Sequence, residues 1–259
     1  MSFVESADGT PIHVETTGDG PPVVIVNGAF STAADASGVA DALVRAGFAA
    51  VVYDRRARAG SGDTRPFAPE READDVAAVI ASVGGAAAVL GHSSGAVLAL
   101  FASSLGVPTG TLFLSEPPFH FGEDEPPSDL PERLQRAIDQ GRPADAVTMF
   151  QIEGIGLPPA MVEQMRSSPM FDGLVALAQS TVYDATLTRQ VSTPTAAMRE
   201  VDVPVVVLTG RDTFPFLHAA SERLAEEVSG AVFVEVPESV QHRLDPEATV
   251  RVVTAHLHA

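Results

Sequence analysis

VLGHSSGAV, residues 89 to 97, is the stretch on which the reading of the whole chain turns. It continues an apolar run, AAAVL, and leads into SGAVLALFASSLG, a strand-like segment followed by a helix-like one. Gly91 and Gly95 stand two residues either side of Ser93, the G-x-S-x-G pattern in its strand–turn–helix setting. A strand that turns directly into a helix leaves no room for side chains beside the apex, and glycine supplies none. The apex residue takes strained backbone angles and is presented above the sheet. Ser93 is therefore the candidate nucleophile. Ser94 would supply a backbone N–H at the helix N-terminus, aimed where negative charge develops in acyl transfer. Ser94 as nucleophile would lose the symmetric glycines.

The rhythm extends in both directions. Upstream, PIHVETTG alternates, VVIVNG is fully apolar, TAADASGVADALVRAG has helical spacing, and FAAVVYD reads as another buried strand. PEREADDVAAVIASVG opens with Pro and acids and closes on Gly, as a helix does. GTLFLSE adds a strand after the Ser93 segment. Short buried strands interleaved with helices predict an α/β fold, a mostly parallel sheet covered on both faces. From Pro117 to about Arg199 no buried strand is evident, only amphipathic stretches divided by Pro and Gly. VPVVVLTG, SERLAEEVSG, AVFVEVPE and PEATVRVVTAHL then restore the alternation. Residues 1–116 and 200–259 thus form the expected core, and 117–199 a helical insertion. At the strand ends such an insertion covers the crevice where ligands bind, a lid, although a second packing layer fits the same pattern.

Composition narrows the chemistry. The 259 residues suit one large domain, and the net charge of −18 argues against nucleic acid and anionic membrane as partners. All 16 basic residues are arginine, so a lysine phosphate loop and a lysine Schiff base are excluded. Absent cysteine, there is no disulfide and no thiolate nucleophile. No apolar run spans a bilayer and no secretory signal is visible at the N-terminus, which reads as cytoplasmic. The HLH at 256–258 lacks carboxylates at ligand spacing, and the glycines at 18, 20, 60 and 62 do not form a dinucleotide fingerprint. Neither a metal nor a cofactor is expected.

GHSSG, together with VVIVNGAFS (23–31), VVYDRRARAGSGD (51–63) and VPESVQHRLDPE (236–247), resembles the α/β-hydrolase superfamily over essentially the full length. The resemblance implies an oxyanion donor from the loop after VVIV, the backbone N–H of Ala29. Asn27, the only asparagine, stands where that loop usually has histidine, and Ala57 stands where the next loop has glycine.

Serine needs a positioned base. Of seven histidines, His242 lies after the last strand and before the final helix, in the order serine, acid, histidine. Two acids compete to orient it. Asp212 follows the next-to-last strand, where most members of the family carry theirs. Glu116 ends the strand after the nucleophile helix, its backbone fixed by Pro117 and Pro118. SEPPF with GHSSGA resembles the lactonases that open the macrocycle zearalenone, and that resemblance favours Glu116. The expected activity is hydrolysis of a small hydrophobic ester or lactone. A C–C bond hydrolase or lyase of the same fold, and a hydrolase-fold binding protein, are the competing readings.

Overall fold

The computed structural model describes residues 2–257; His258 of the terminal HLH lies outside them. Strands β1 (Ser2–Glu5), β2 (Pro11–Thr17), β3 (Pro22–Val26), β4 (Ala49–Tyr53), β5 (Ala87–His92), β6 (Thr109–Ser115), β7 (Val205–Asp212) and β8 (Val232–Val240) form one sheet. Their order is β1-β2-β4-β3-β5-β6-β7-β8. From β4 onward all neighbours are parallel, while β1 and β2 pair antiparallel at one edge. β1 was not anticipated: SFVE is too short and too exposed to carry a strand signal.

The fully apolar central strands follow from burial on both faces. Val24, Val26, Val89, Leu112, Leu114, Val205 and Val207 enter one core. It also holds α2 (Pro69–Ser82) and α3 (Ser94–Ser104). Val23, Ile25, Ala88, Leu90, Phe113, Val206 and Leu208 enter the opposite core, with α1 (Ser37–Arg45) and the C-terminal helix. Alternate residues of one strand thus serve opposite layers. α3 is buried along nearly its whole length, so its sequence is apolar all round, as a central helix requires.

Between β6 and β7 the regular elements are helical: α4 (Leu130–Asp139), α5 (Pro143–Met149), α6 (Pro159–Arg166), α7 (Phe171–Ala176), α8 (Ala178–Gln190) and α9 (Ala196–Arg199). α4, α5 and α8 share a satellite core around Leu134, Ala146, Phe150 and Tyr183. α10 (Pro215–Glu227) and α11 (Pro246–Leu257) complete the fold. Among the described residues no helix is long and apolar enough to cross a membrane.

Candidate active site

The turn between β5 and α3 has the geometry its glycines imply. Ser93 sits at φ 55°, ψ −128°, left-handed backbone that a non-glycine residue adopts only under constraint. Its N–H donates to the Ser115 carbonyl at 2.9 Å, tying the apex to β6. The glycines serve close approach. A Cβ on Gly95 would lie 2.0 Å from the Val26 carbonyl oxygen, and one on Gly91 2.5 Å from Ala96 Cα.

A cavity of about 570 Å³ opens at this end of the sheet. Ser93, Ser94 and His92 line it from the turn, and Gly28, Ala29 and Ser31 from the loop after β3. Ala29 and Ser94 are the expected oxyanion donors, and neither N–H has a hydrogen-bond acceptor among the described residues. The Asn27 amide donates to Thr32 O at 2.7 Å and so braces this loop, the work left to it in place of histidine. A Cβ on Gly28 would stand 2.8 Å from Ser93 Cβ; the loop lies directly against the serine.

His242 lines the same cavity. Gln241 and His242 have φ of 51° and 59°, so the loop after β8 is strained where it delivers the imidazole. Two bonds hold it: Gln241 N–H to Asp212 O at 2.7 Å, and His92 Nε2–H to His242 O at 3.2 Å. The His92 ring also packs on His242, centroids 4.6 Å apart. Burial first, then the neighbouring imidazole, lowers the His92 pKa to about 3, so this histidine stays neutral.

Glu116 and Asp212 are in very different surroundings. Glu116 is 2 % exposed, at φ 47°, and its Oε2 is hydrogen-bonded to His242 Nδ1. Oε1 accepts from Gly210 N–H at 2.8 Å, and Oε2 also from Thr213 Oγ1 at 2.9 Å. Burial alone would raise the Glu116 pKa; the bonds from His242, Gly210 and Thr213 and the His242 charge outweigh it and hold the group below the usual carboxylate range. An ionised carboxylate only accepts, so His242 Nδ1 carries a proton, and in the neutral imidazole the lone pair is then on Nε2. Asp212 is exposed, and its carboxylate has no partner among the described residues; only its main-chain carbonyl touches the loop of His242.

The remaining walls are largely apolar, with His120 and Thr188 among them. Pro118 and Pro126 follow β6, Phe214, Phe216 and Leu217 follow β7, and Phe150, Ile155 and Leu157 come from the helical insertion. Phe150 opens a π-helical turn, Phe150–Gly154, an irregularity common where a helix is bent to serve a site. Of the Met-, Phe- and Leu-bearing stretches of the insertion, AVTMF (146–150), MVEQM (161–165) and PMFDGLVAL (169–177), only Phe150 reaches the cavity; Met161 and Met170 are exposed. No arginine lines the cavity among the described residues, and the chain has no lysine. Asp124, Glu153 and Asp184 do line it; Glu153 is paired with Arg133 and Asp184 with Arg55 and Arg58. Among the described residues no cluster of three or more histidine and acidic side chains is arranged to hold a metal.

Behind the site lies a network that was not anticipated. Arg55, Arg58, Glu72 and Asp184 are each 1 % exposed and are joined to one another. The signal was a polar residue inside STVYDATL, a helix otherwise buried on most sides: an acid there needs a partner.

Residues 23–252 match the model of the alpha/beta hydrolase family. The crystal structure of an alpha/beta hydrolase from Sphaerobacter thermophilus superposes with a TM-score of 0.91 at 39 % identity, covering 99 % of this chain and 100 % of that one. A bifunctional esterase/perhydrolase from Acinetobacter calcoaceticus is 26 % identical over 92 % of this chain and 91 % of its own. An esterase from Exiguobacterium antarcticum shares the fold, with a TM-score of 0.71 at 18 % identity, over 100 % of this chain and 99 % of that one. The chain belongs to the alpha/beta hydrolase family.

Proposed function

We propose that the protein is a serine hydrolase of uncharged hydrophobic carboxylic esters or lactones. One observation carries the reading: Ser93, on its strained turn, shares a cavity with His242, whose Nδ1 is bound to the buried carboxylate of Glu116. Ser93 Oγ attacks the carbonyl carbon while His242 Nε2 takes its proton. The Ala29 and Ser94 N–H groups receive the oxyanion, and His242 protonates the departing alcohol oxygen. Water, activated by the same imidazole, releases the acid. In a lactone the departing oxygen stays attached, and the ring opens. The esterase-named relative supports ester chemistry. The helical insertion, residues 117–199, acts as the lid, since Phe150, Ile155 and Leu157 wall the cavity from it.

The lining supports an uncharged substrate. A substrate carboxylate would find neither arginine nor lysine there and would meet Asp124, the acid of the lining without a counter-charge. The test is a panel of 4-nitrophenyl butyrate, the mono-4-nitrophenyl ester of glutaric acid, hydrophobic lactones and zearalenone, with Ser93→Ala beside each. Turnover of the neutral esters or lactones, at least about tenfold faster than of the charged ester and abolished in Ser93→Ala, supports the reading; about one charge-pair energy separates them. Turnover that survives in Ser93→Ala, or a preference for the charged ester, contradicts it. The zearalenone arm bears on the resemblance of SEPPF and GHSSGA to that lactonase branch.

A further inference from the structure

Two arginines, both buried, converge behind Ala29 and Ser94, which line the cavity. Arg55 forms a fork on Glu72, at 2.8 and 2.9 Å, and its Nη1 donates to Asp184 Oδ1 at 2.9 Å, Ser94 Oγ at 3.1 Å and Asn27 O at 3.2 Å. Arg58 Nη2 donates to Asp184 Oδ2 at 2.8 Å, and its Nη1 donates to the Gly28 carbonyl at 2.5 Å and the Ser31 carbonyl at 3.1 Å. Ser94 Oγ–H completes the set, donating to Asp184 Oδ1 at 2.7 Å. One carboxylate, on α8 of the insertion, therefore holds both arginines and the residue after the nucleophile.

Stability alone is a poor account of this arrangement. Removing four charges from water is expensive, and buried ion pairs often do no better than apolar residues of the same volume. Direction is the better account. Across a trans peptide the C=O and the following N–H point opposite ways. Drawing the Gly28 carbonyl toward Arg58 turns the Ala29 N–H away from the network. Ala29 lines the cavity, and a Cβ on Gly28 would touch Ser93, so the peptide they share stands between the arginine and the serine. Burial would raise the Asp184 pKa, but Arg58, Arg55 and the Ser94 hydroxyl overcome it and keep the carboxylate ionised.

We propose that Asp184 is a positioning residue for the oxyanion site: through Arg58 and Arg55 it fixes the carbonyls of Asn27, Gly28 and Ser31, and so aims the Ala29 N–H, while it anchors Ser94 directly. The inference rests on the serine-hydrolase reading of Ser93. It makes the insertion part of the machinery that meets the transition state, in addition to a wall around the substrate.

The test compares Asp184→Asn, Asp184→Ala and Arg58→Lys with wild type. Lysine keeps the charge, but a single ammonium cannot span Asp184 and the Gly28 carbonyl as the guanidinium does. Asp75→Asn is the control, because Asp75 pairs with buried Arg56 away from the cavity. Two readouts are needed: steady-state constants on a neutral 4-nitrophenyl ester, and affinity for an alkyl trifluoromethyl ketone, whose adduct places an oxyanion beside Ser93. Loss of one oxyanion donor costs about 10²–10³ in rate, so misaiming one is expected to lower kcat roughly 10–100-fold with KM within about threefold. Ketone affinity should fall by the same factor. Asp184→Asn keeps one acceptor oxygen and should retain more activity than Asp184→Ala. Asp75→Asn should melt earlier with kcat and ketone affinity unchanged. If Asp184→Ala does not fold, Arg58→Lys and Asp184→Asn decide. Folded variants with wild-type kcat and ketone affinity would overturn the inference, as would a fall in kcat with unchanged ketone affinity. Wild-type protein that neither turns over the ester nor binds the ketone would instead overturn the serine-hydrolase reading beneath it.

Discussion

Replacing Glu116 by glutamine preserves size and removes one acceptor, which makes it a clean probe of the acid. The carboxylate accepts three hydrogen bonds, from Gly210 N–H, Thr213 Oγ1 and His242 Nδ1, in a site 2 % exposed. The amide has one oxygen. Turned with its NH2 toward Gly210, it opposes two N–H donors without water, at about 1–3 kcal/mol. The favoured orientation gives the oxygen to Gly210 and the NH2 to His242. Since that NH2 only donates, Nδ1 must accept, and the imidazole proton moves to Nε2. Nε2 can then no longer take the Ser93 proton. A tautomer reversal of this kind costs about 10³–10⁴ in kcat, or about 4–5.5 kcal/mol of barrier. The assay is hydrolysis of a neutral 4-nitrophenyl ester, with melting curves to confirm folding and Asp212→Ala in parallel. Asp212 is exposed and serves the His242 loop through its main chain, which alanine retains, so that variant should keep more than half the wild-type kcat. The reasoning is refuted if Asp212→Ala falls as far as Ser93→Ala while Glu116→Gln keeps more than about a tenth of the rate.

Three further outcomes follow from the geometry. Gly28→Ala would push a methyl to 2.8 Å from Ser93 Cβ and 3.0 Å from the His92 carbonyl. The loop must retreat, and kcat should fall at least about 100-fold, the cost of one oxyanion donor; wild-type kinetics would contradict that packing. Ala59 is exposed at φ 38°, so Ala59→Gly relieves about 1–2 kcal/mol of backbone strain against about 0.4–1 kcal/mol of added unfolded-state freedom. A melting temperature raised by about 1–3 °C is expected, and a lowered one counts against it. His92 has its pKa lowered, so the unfolded chain takes up a proton first as pH falls. Stability is full above about pH 6.5 and declines toward about pH 3, by roughly 1 kcal/mol per pH unit for this group. Urea midpoints at pH 7 and pH 5 should therefore diverge more in wild type than in His92→Gln; equal divergence would exclude the histidine as the cause.

Legibility in the sequence followed the range of the constraint. The doubly buried strands, VVIV and VVVL among them, are apolar throughout because both faces are covered, and that pattern is local and plain. The turn at Ser93 was legible for a similar reason, since two glycines at fixed spacing answer a steric demand within five residues. Edge strand β1 was not, because SFVE buries almost nothing and gains its place from β2. The choice between Glu116 and Asp212 turned on which carboxylate meets His242, a contact 126 positions apart in the chain, and no local pattern encodes that. Asp184 was further out of reach, because its partners Arg55, Arg58 and Ser94 belong to two other elements. What the chain does display at that position is an acid inside a buried helix, a demand for a partner without the partner's address.

The measurement that bears most directly on the proposed chemistry is covalent. Protein is incubated with an uncharged alkyl fluorophosphonate, digested, and the modified peptide located by mass, with Ser93→Ala and His242→Ala alongside. A single adduct on Ser93, absent in Ser93→Ala and formed at least about 100-fold more slowly in His242→Ala, is the expected result. An unmodified Ser93 in folded protein, or labelling that proceeds equally well without His242, would contradict a serine nucleophile activated by that histidine.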